Sequence, residues 1–152
     1  MVDIDGVVAD VRHRLPLISG GGKDWDSFFA AAADDPPLSE GVALVLALAQ
    51  EHDVVWLTGR PERTRNLTAA WLGAQGLPSG ELLMRGDTDR RPARLTKRDT
   101  LRTLAANRRI AVVVDDDPEV VGELRAEGLP VQHATWVPHA SSLGHAQRRG
   151  RT

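Results

Sequence analysis

The chain has 152 residues and no cysteine. That excludes disulfides and thiolate chemistry and fits a reducing compartment, so a cytoplasmic location is expected. It lacks any apolar run near the ~20 residues that a membrane-spanning helix needs. Its opening residues are acidic, so no secretory leader is expected. It has no excess of positive charge: the net charge is -2 and the pI about 6.2. No global basic field therefore draws it to nucleic acid. Internal repeats and low-complexity blocks are also missing, and the 5 histidines show no metal-ligand spacing. What remains is an ordinary globular composition, 41% hydrophobic and 26% charged, at a length that suits one domain with a real core.

The hydrophobic pattern predicts short strands over residues 2–5, 54–57, 82–84, 110–114 and 131–134, separated by helices. The first of these is short for a central strand. Asp24 is expected to cap a short helix that packs Trp25, Phe28 and Phe29, and Ser39 to cap the next. Pro61 suits the first turn of a helix running to about Gln75, with Gly76 as its stop. A further helix is expected over 96–106. Asp117-Pro118-Glu119 opens the last one with a cap, a proline and an acid at the positive dipole end. Residues 1–135 read as one hydrolase-sized domain with a flap over 6–36. Residues 136–152 read as a tail whose basic end, 147–152, frays. The alternation implies an α/β, Rossmann-like fold: a parallel sheet of about five strands, helices on both faces, and a ligand crevice at the carboxyl ends of the strands.

Those ends carry the chemistry. Asp3-Ile4-Asp5-Gly6 closes the first strand and Asp115-Asp116-Asp117-Pro118 the fourth; Thr58 stands at a third. Carboxylates converging from neighbouring strand ends repel one another unless a cation sits among them. An all-oxygen donor set that leaves room for water suits Mg²⁺. A carboxylate beside such an ion is equipped to attack phosphorus. Asp117 is expected to cap its helix instead. Two other patterns fail. The acidic opening is not a calcium loop, because Val7 occupies the third ligand position. Gly20-Gly21-Gly22-Lys23 lacks the earlier glycine and the following Ser/Thr of a phosphate-binding loop.

Asp3-Ile4-Asp5-Gly6-Val7-Val8-Ala9-Asp10, Leu57-Thr58-Gly59-Arg60, Lys97 and Val114-Asp115-Asp116 resemble the four motifs of the haloacid dehalogenase (HAD) superfamily, in order and across nearly the whole chain. Within it the chain most resembles the phosphatase domain of bifunctional polynucleotide kinase/3′-phosphatases. The arginine of Thr58-Gly59-Arg60, the Gly86-Asp87-Thr88 run, the double aspartate, and a flap with Arg12, Arg14 and Trp25 carry that likeness. One departure stands before Lys97, where some relatives place an acid and this chain has Arg94-Leu95-Thr96.

The resemblance implies a HAD fold and a Mg²⁺-dependent phosphomonoester hydrolase that works through an aspartyl-phosphate. Asp3 would be the nucleophile and Asp5 the acid, then the base. Thr58 would hold a phosphoryl oxygen and Lys97 would neutralise charge. Gly59, Arg60 and Arg14 would bind substrate. Asp3, the backbone carbonyl of Asp5, Asp115 and, through water, Asp116 would hold the metal. Neither the stretch after the first strand nor that between Arg60 and Lys97 has room for a large cap domain. An open site admits a phosphate on a polymer end, which favours a nucleic-acid 3′-phosphate. The alternatives are a nucleotidase acting on free mononucleotides and a non-catalytic binding module on the same scaffold. Arg85, Arg90, Arg91, Arg94 and Arg98 offer a nucleic-acid path, diluted by Asp87, Asp89 and Asp99.

Overall fold

Two parallel strand pairs, joined by the N-terminal segment, make the sheet in the computed structural model, which describes residues 1–19 and 22–150. Strand β1 (Val55–Pro61) pairs with β2 (Glu81–Arg85), and β3 (Val113–Asp115) with β4 (Val131–His133). Val2 bridges Trp56 on one side and Val114 on the other, both in parallel. The order across the sheet is therefore β2, β1, the Val2 segment, β3, β4.

The expected sheet of about five strands is corrected to four strands and a bridge. The first segment leaves the sheet after Asp3, because Ile4 O at once accepts the N–H groups of Val7, Val8 and Ala9 in a tight turn. Strand β3 is shorter than expected for a similar local reason. Its ladder opens with Val113 N–H donating to Pro130 O at 2.8 Å, and proline has no N–H to return. Strand β1 is longer than expected: Thr58, Gly59 and Arg60 continue it instead of ending it.

The described residues form six α-helices: α1 (Trp25–Ala30), α2 (Ser39–Leu48), α3 (Arg65–Ala74), α4 (Ala93–Ala105), α5 (Pro118–Ala126) and α6 (Ser141–Arg148). Local chemistry sets several of their ends. Asp24 accepts the Ser27 N–H at 2.9 Å and Asp117 the Glu119 N–H at 2.8 Å, so both aspartates cap as expected. Ser39 does not: its hydroxyl donates to the Glu40 carboxylate, and Leu38 stands at the cap. Pro61 closes β1, and α3 starts only after a 3-10 turn over Glu62–Thr64. The flap is not bare loop, since Arg12–Ile18 form a 3-10 helix. In the tail, α6 covers Ser141–Arg148, so Gln147 and Arg148 of the end expected to fray are helical. Gly20 and Gly21 of the glycine run, and Arg151 and Thr152 of the tail, lie outside the described residues. No helix among the described residues is long and apolar enough to cross a membrane.

The core divides at the sheet. Ile4, Val7, Val8, Val45, Trp56, Trp71 and Val114 pack on the face covered by α2 and α3. Leu57, Leu101, Val113, Val120 and Leu124 pack on the face covered by α4 and α5. A third cluster joins Val11, Ile18, Phe28 and Phe29 of the flap to Leu143 of α6, so the flap aromatics serve packing.

Gly6 lets the first turn form. Its φ is +74°, and a Cβ there would sit 2.2 Å from Asp116 Oδ2. Gly6→Ala should therefore lower unfolding stability in urea by at least the ~1–3 kcal/mol of left-handed strain. An unchanged midpoint would show that the turn relaxes freely.

Candidate active site

Asp3 leaves the sheet between β1 and β3, and Asp115 ends β3, so their carboxylates meet. Lys97 reaches them from α4: its buried Nζ donates to Asp3 Oδ2 and to Asp115 Oδ2, each at 2.6 Å. The remaining oxygens are held by backbone. Ile4 N–H donates to Asp3 Oδ1 at 2.8 Å, and Asp117 N–H to Asp115 Oδ1 at 3.0 Å. Asp116 is only half satisfied. Its Oδ2 pairs with His139 Nδ1 at 3.0 Å, while Oδ1 is buried without a partner. Asp3, Asp115 and Asp116 each offer an oxygen within 4.8 Å of the others.

Asp5 faces a second ion network. Arg14 Nη2 donates to its Oδ1 at 2.8 Å, and Arg60 Nε and Nη2 at 3.0 and 2.6 Å. Both arginines are buried, and both also grip Asp35, whose side chain is fully buried. Arg14 binds Asp35 through two bonds of 2.8 Å and Arg60 through one of 2.8 Å. Trp71 fixes the Asp35 backbone by donating its indole N–H to the carbonyl at 2.9 Å, and Phe28 lies under the Arg14 guanidinium. The structure thus places Arg14 and Arg60 on carboxylates. Only Nη1 of Arg60 is left buried and unpaired.

Thr58 and Gly59 line a small pocket with Asp3, Asp5 and Lys97, closed by Ala93, Leu143 and Gln147. Thr58 Oγ1 accepts the Arg60 N–H at 3.2 Å. Every expected site residue is therefore gathered at one end of the sheet. Sequence reasoning missed Asp35, His139 and Gln147. Asp35 reads as a helix breaker in Asp34-Asp35-Pro36-Pro37, and no spacing signals its role. Arg85 stands apart at the end of β2, where it is buried with Nε and Nη2 unpaired. The other loop arginines are engaged with acids or carbonyls: Arg91 with Asp89 and Asp99, Arg94 and Arg98 with Glu123, and Arg90 with the Asp87 carbonyl.

The electrostatics separate the two aspartates of the first motif. Burial, reinforced by Asp115 and Asp5, raises the Asp3 carboxyl to about 7 against the pull of Lys97. Burial and Asp116 raise Asp115 to about 6. Burial also pushes Asp5 upward, but the Arg14 and Arg60 guanidiniums outweigh it and hold that carboxyl at about 2. Lys97 is driven down by burial and raised further by Asp115 and Asp3, so it stays charged. Asp3, Asp5, Asp35, Asp115 and Asp116 face three fixed cations, Lys97, Arg14 and Arg60. Fully ionised, the five carboxylates exceed those cations by two charges; a protonated His139 on Asp116 lowers the excess to one, and the site stays acidic enough to attract a divalent ion. The orphaned Asp116 oxygen and the all-oxygen donor set fit such an ion, and Mg²⁺ in particular.

The family model for the polynucleotide kinase PNKP phosphatase domain matches residues 1–135. Among solved structures, a chain of the Pnkp1/Rnl/Hen1 complex superposes with a TM-score of 0.72 at 22% identity, covering 88% of this chain and 43% of that one. A chain of the Pnkp1/Rnl/Hen1 RNA repair complex gives 0.70 at 21% identity, covering 87% and 40%. At that identity the likeness establishes the fold, and this chain spans less than half the length of either. No curated protein matches it.

Two measurements follow from the charge arrangement. Asp35→Asn leaves two buried guanidiniums short of a counter-charge and should cost about 3–5 kcal/mol in chemical unfolding, whereas a loss below ~1 kcal/mol would mean the pair is solvated. The second concerns pH. Asp3 and Asp115 bind protons more tightly folded than unfolded, where the ordinary value is 3.8. Their stabilising contribution is complete below that ordinary value and is lost as pH rises through about 6 and 7. In chelator, Tm should therefore fall between about pH 5 and about pH 8 more steeply in the wild type than in Asp3→Asn; parallel profiles would refute the assignment.

Proposed function

The chain belongs to the PNKP phosphatase-domain family of HAD hydrolases, and from that premise we propose that it removes 3′-phosphates from nucleic-acid ends, with Mg²⁺, through an aspartyl-phosphate on Asp3. It is a HAD-type phosphatase; the substrate, the metal and the residue roles are our reading. One arrangement supports it above all: a buried carboxylate, Asp3, shares a charged lysine with Asp115 and clusters with Asp115 and Asp116, beside a second carboxylate, Asp5, of much lower proton affinity.

Asp3 attacks phosphorus through the oxygen that Lys97 orients, and the bond from phosphorus to the leaving oxygen breaks. Lys97 opposes the upward push of burial on the Asp3 carboxyl, which favours the ionised nucleophile. Thr58 and the backbone of Gly59 hold a phosphoryl oxygen in the pocket. Asp3, Asp115, the Asp5 carbonyl and Asp116 would hold the metal, which when bound neutralises charge on the phosphoryl group. Asp5 serves the second half-reaction directly: as an ionised carboxylate it takes a proton from the water that attacks the aspartyl-phosphate, the bond from phosphorus to the Asp3 oxygen breaks, and inorganic phosphate leaves with Asp3 restored as a carboxylate. Its first role, giving a proton to the leaving oxygen, requires that its hold by Arg14 and Arg60 relax. A phosphate dianion drawn to the free Nη1 of Arg60 competes for those same donors and raises the proton affinity of Asp5.

Among the described residues nothing larger than a helix stands over the sheet end, which suits a substrate with bulk beyond the phosphate. Lys97, Thr58 and the aspartates all stand at the sheet end, where a polymer terminus can approach. The chains it resembles in fold come from Pnkp1/Rnl/Hen1 complexes, one of them an RNA repair complex, and a repair role for this chain is part of the proposal.

Phosphate release should be followed at neutral pH from a 3′-phosphorylated oligonucleotide, its 5′-phosphorylated twin, 3′- and 5′-mononucleotides and an aryl phosphate, with and without Mg²⁺. The proposal predicts Mg²⁺-dependent preference for the 3′-phosphorylated oligonucleotide, with Asp3→Asn slower by roughly 10⁴-fold or more. Preference for mononucleotides would overturn the polymer-end reading. Turnover that survives Asp3→Asn would overturn the nucleophile.

A further inference from the structure

The segment beyond residue 135, where the family match ends, closes over the active site. Helix α6 packs against α4 and against the 3-10 helix of the flap. Leu143 seats it in the flap cluster, and Ala146 is buried behind it. Just before the helix, His139 ties the segment to Asp116. At its end the backbone is tight against the arginine loop, since a Cβ on Gly150 would lie 2.0 Å from Arg90 O.

The residue that α6 presents to the reacting groups is Gln147. It is 8% exposed and lines the same pocket as Asp3, Asp5, Thr58, Gly59 and Lys97. Its Oε1 is buried without a hydrogen-bond partner, and a half-turn of the amide about its last side-chain bond sets the two N–H donors in that place. Buried side-chain polar atoms are nearly always paired, and leaving one unpaired is costly. A carboxamide with its oxygen position unfilled among these side chains is therefore a group waiting for a ligand. Its chemistry suits an anion: the amide is neutral, it adds no charge to an already acidic site, and its nitrogen carries two donors. The cavity it closes is only about 10 Å³, the room of about one water.

We propose that α6 is a small C-terminal cover on the active site and that Gln147 is a substrate-binding residue, donating a carboxamide N–H to a phosphoryl oxygen. The assignment rests on the phosphomonoesterase reading above. On it, α6 performs at the scale of one helix what a cap domain does elsewhere: it excludes water and supplies one polar contact. It also makes the cover part of the described fold and not a separate domain.

The test uses the full chain with Gln147→Met, which keeps the side chain's length and apolar packing but removes its hydrogen-bonding groups, and Gln147→Ala as the second variant. Two quantities are read: kcat/KM on the 3′-phosphorylated oligonucleotide, and the dissociation constant of inorganic phosphate by calorimetric titration in Mg²⁺. Both variants should keep the wild-type Tm or exceed it, lose about tenfold or more in kcat/KM, and bind phosphate about tenfold more weakly. A folded Gln147→Met within twofold of wild type on both quantities would overturn the assignment. If the wild type binds inorganic phosphate but hydrolyses no phosphomonoester, the activity reading fails alone, and the phosphate constants still decide the role of Gln147. A wild type that binds no phosphate overturns both.

Discussion

The buried ammonium of Lys97 between Asp3 and Asp115 is the contact on which the site depends. Two carboxylates brought together by adjacent strand ends would repel each other and resist burial. The lysine offsets both, at 2.6 Å to each, and reaches them only because α4 packs Leu101 against the β3 side of the sheet. Fold and site are thus one problem. The parallel sheet delivers the acids and α4 delivers the cation.

A second constraint is less local. Asp35 holds Arg14 and Arg60 in place, and the two arginines hold Asp5. Its carboxylate shares both guanidiniums with Asp5 and lets them stay buried. The result is a division of labour between two aspartates only two positions apart. Burial raises the affinity of Asp3 for a proton, and guanidinium contacts lower that of Asp5. Residues of the same type acquire different chemistry from their surroundings, as paired catalytic carboxylates require.

Much of the site was legible because its signals are local. Asp3, Asp5, Asp115 and Asp116 each stand beside an apolar run that marks a strand, and Asp24 and Asp117 cap helices that begin next to them. The fold class followed from alternation of such runs with helical stretches. What was not legible arises from contacts distant in sequence. Asp35 finds its arginines 21 and 25 positions away. His139 and Gln147 reach the site only because Leu143 docks α6 on the flap. Strand limits were missed where a single backbone group decided them, as at Ile4 O and Pro130. Ser39 had the right residue type for a cap, but the competing Glu40 carboxylate took its hydroxyl.

The most direct test of the account is to find where the phosphoryl group goes. The enzyme should be mixed with a 3′-phosphorylated oligonucleotide in Mg²⁺, quenched in acid within the first turnover, reduced with borohydride and mapped by peptide mass. Reduction turns an aspartyl-phosphate into homoserine. The account predicts homoserine at position 3 and nowhere else, dependent on substrate. Homoserine at Asp5, Asp115 or Asp116, or its absence during active turnover, would contradict it.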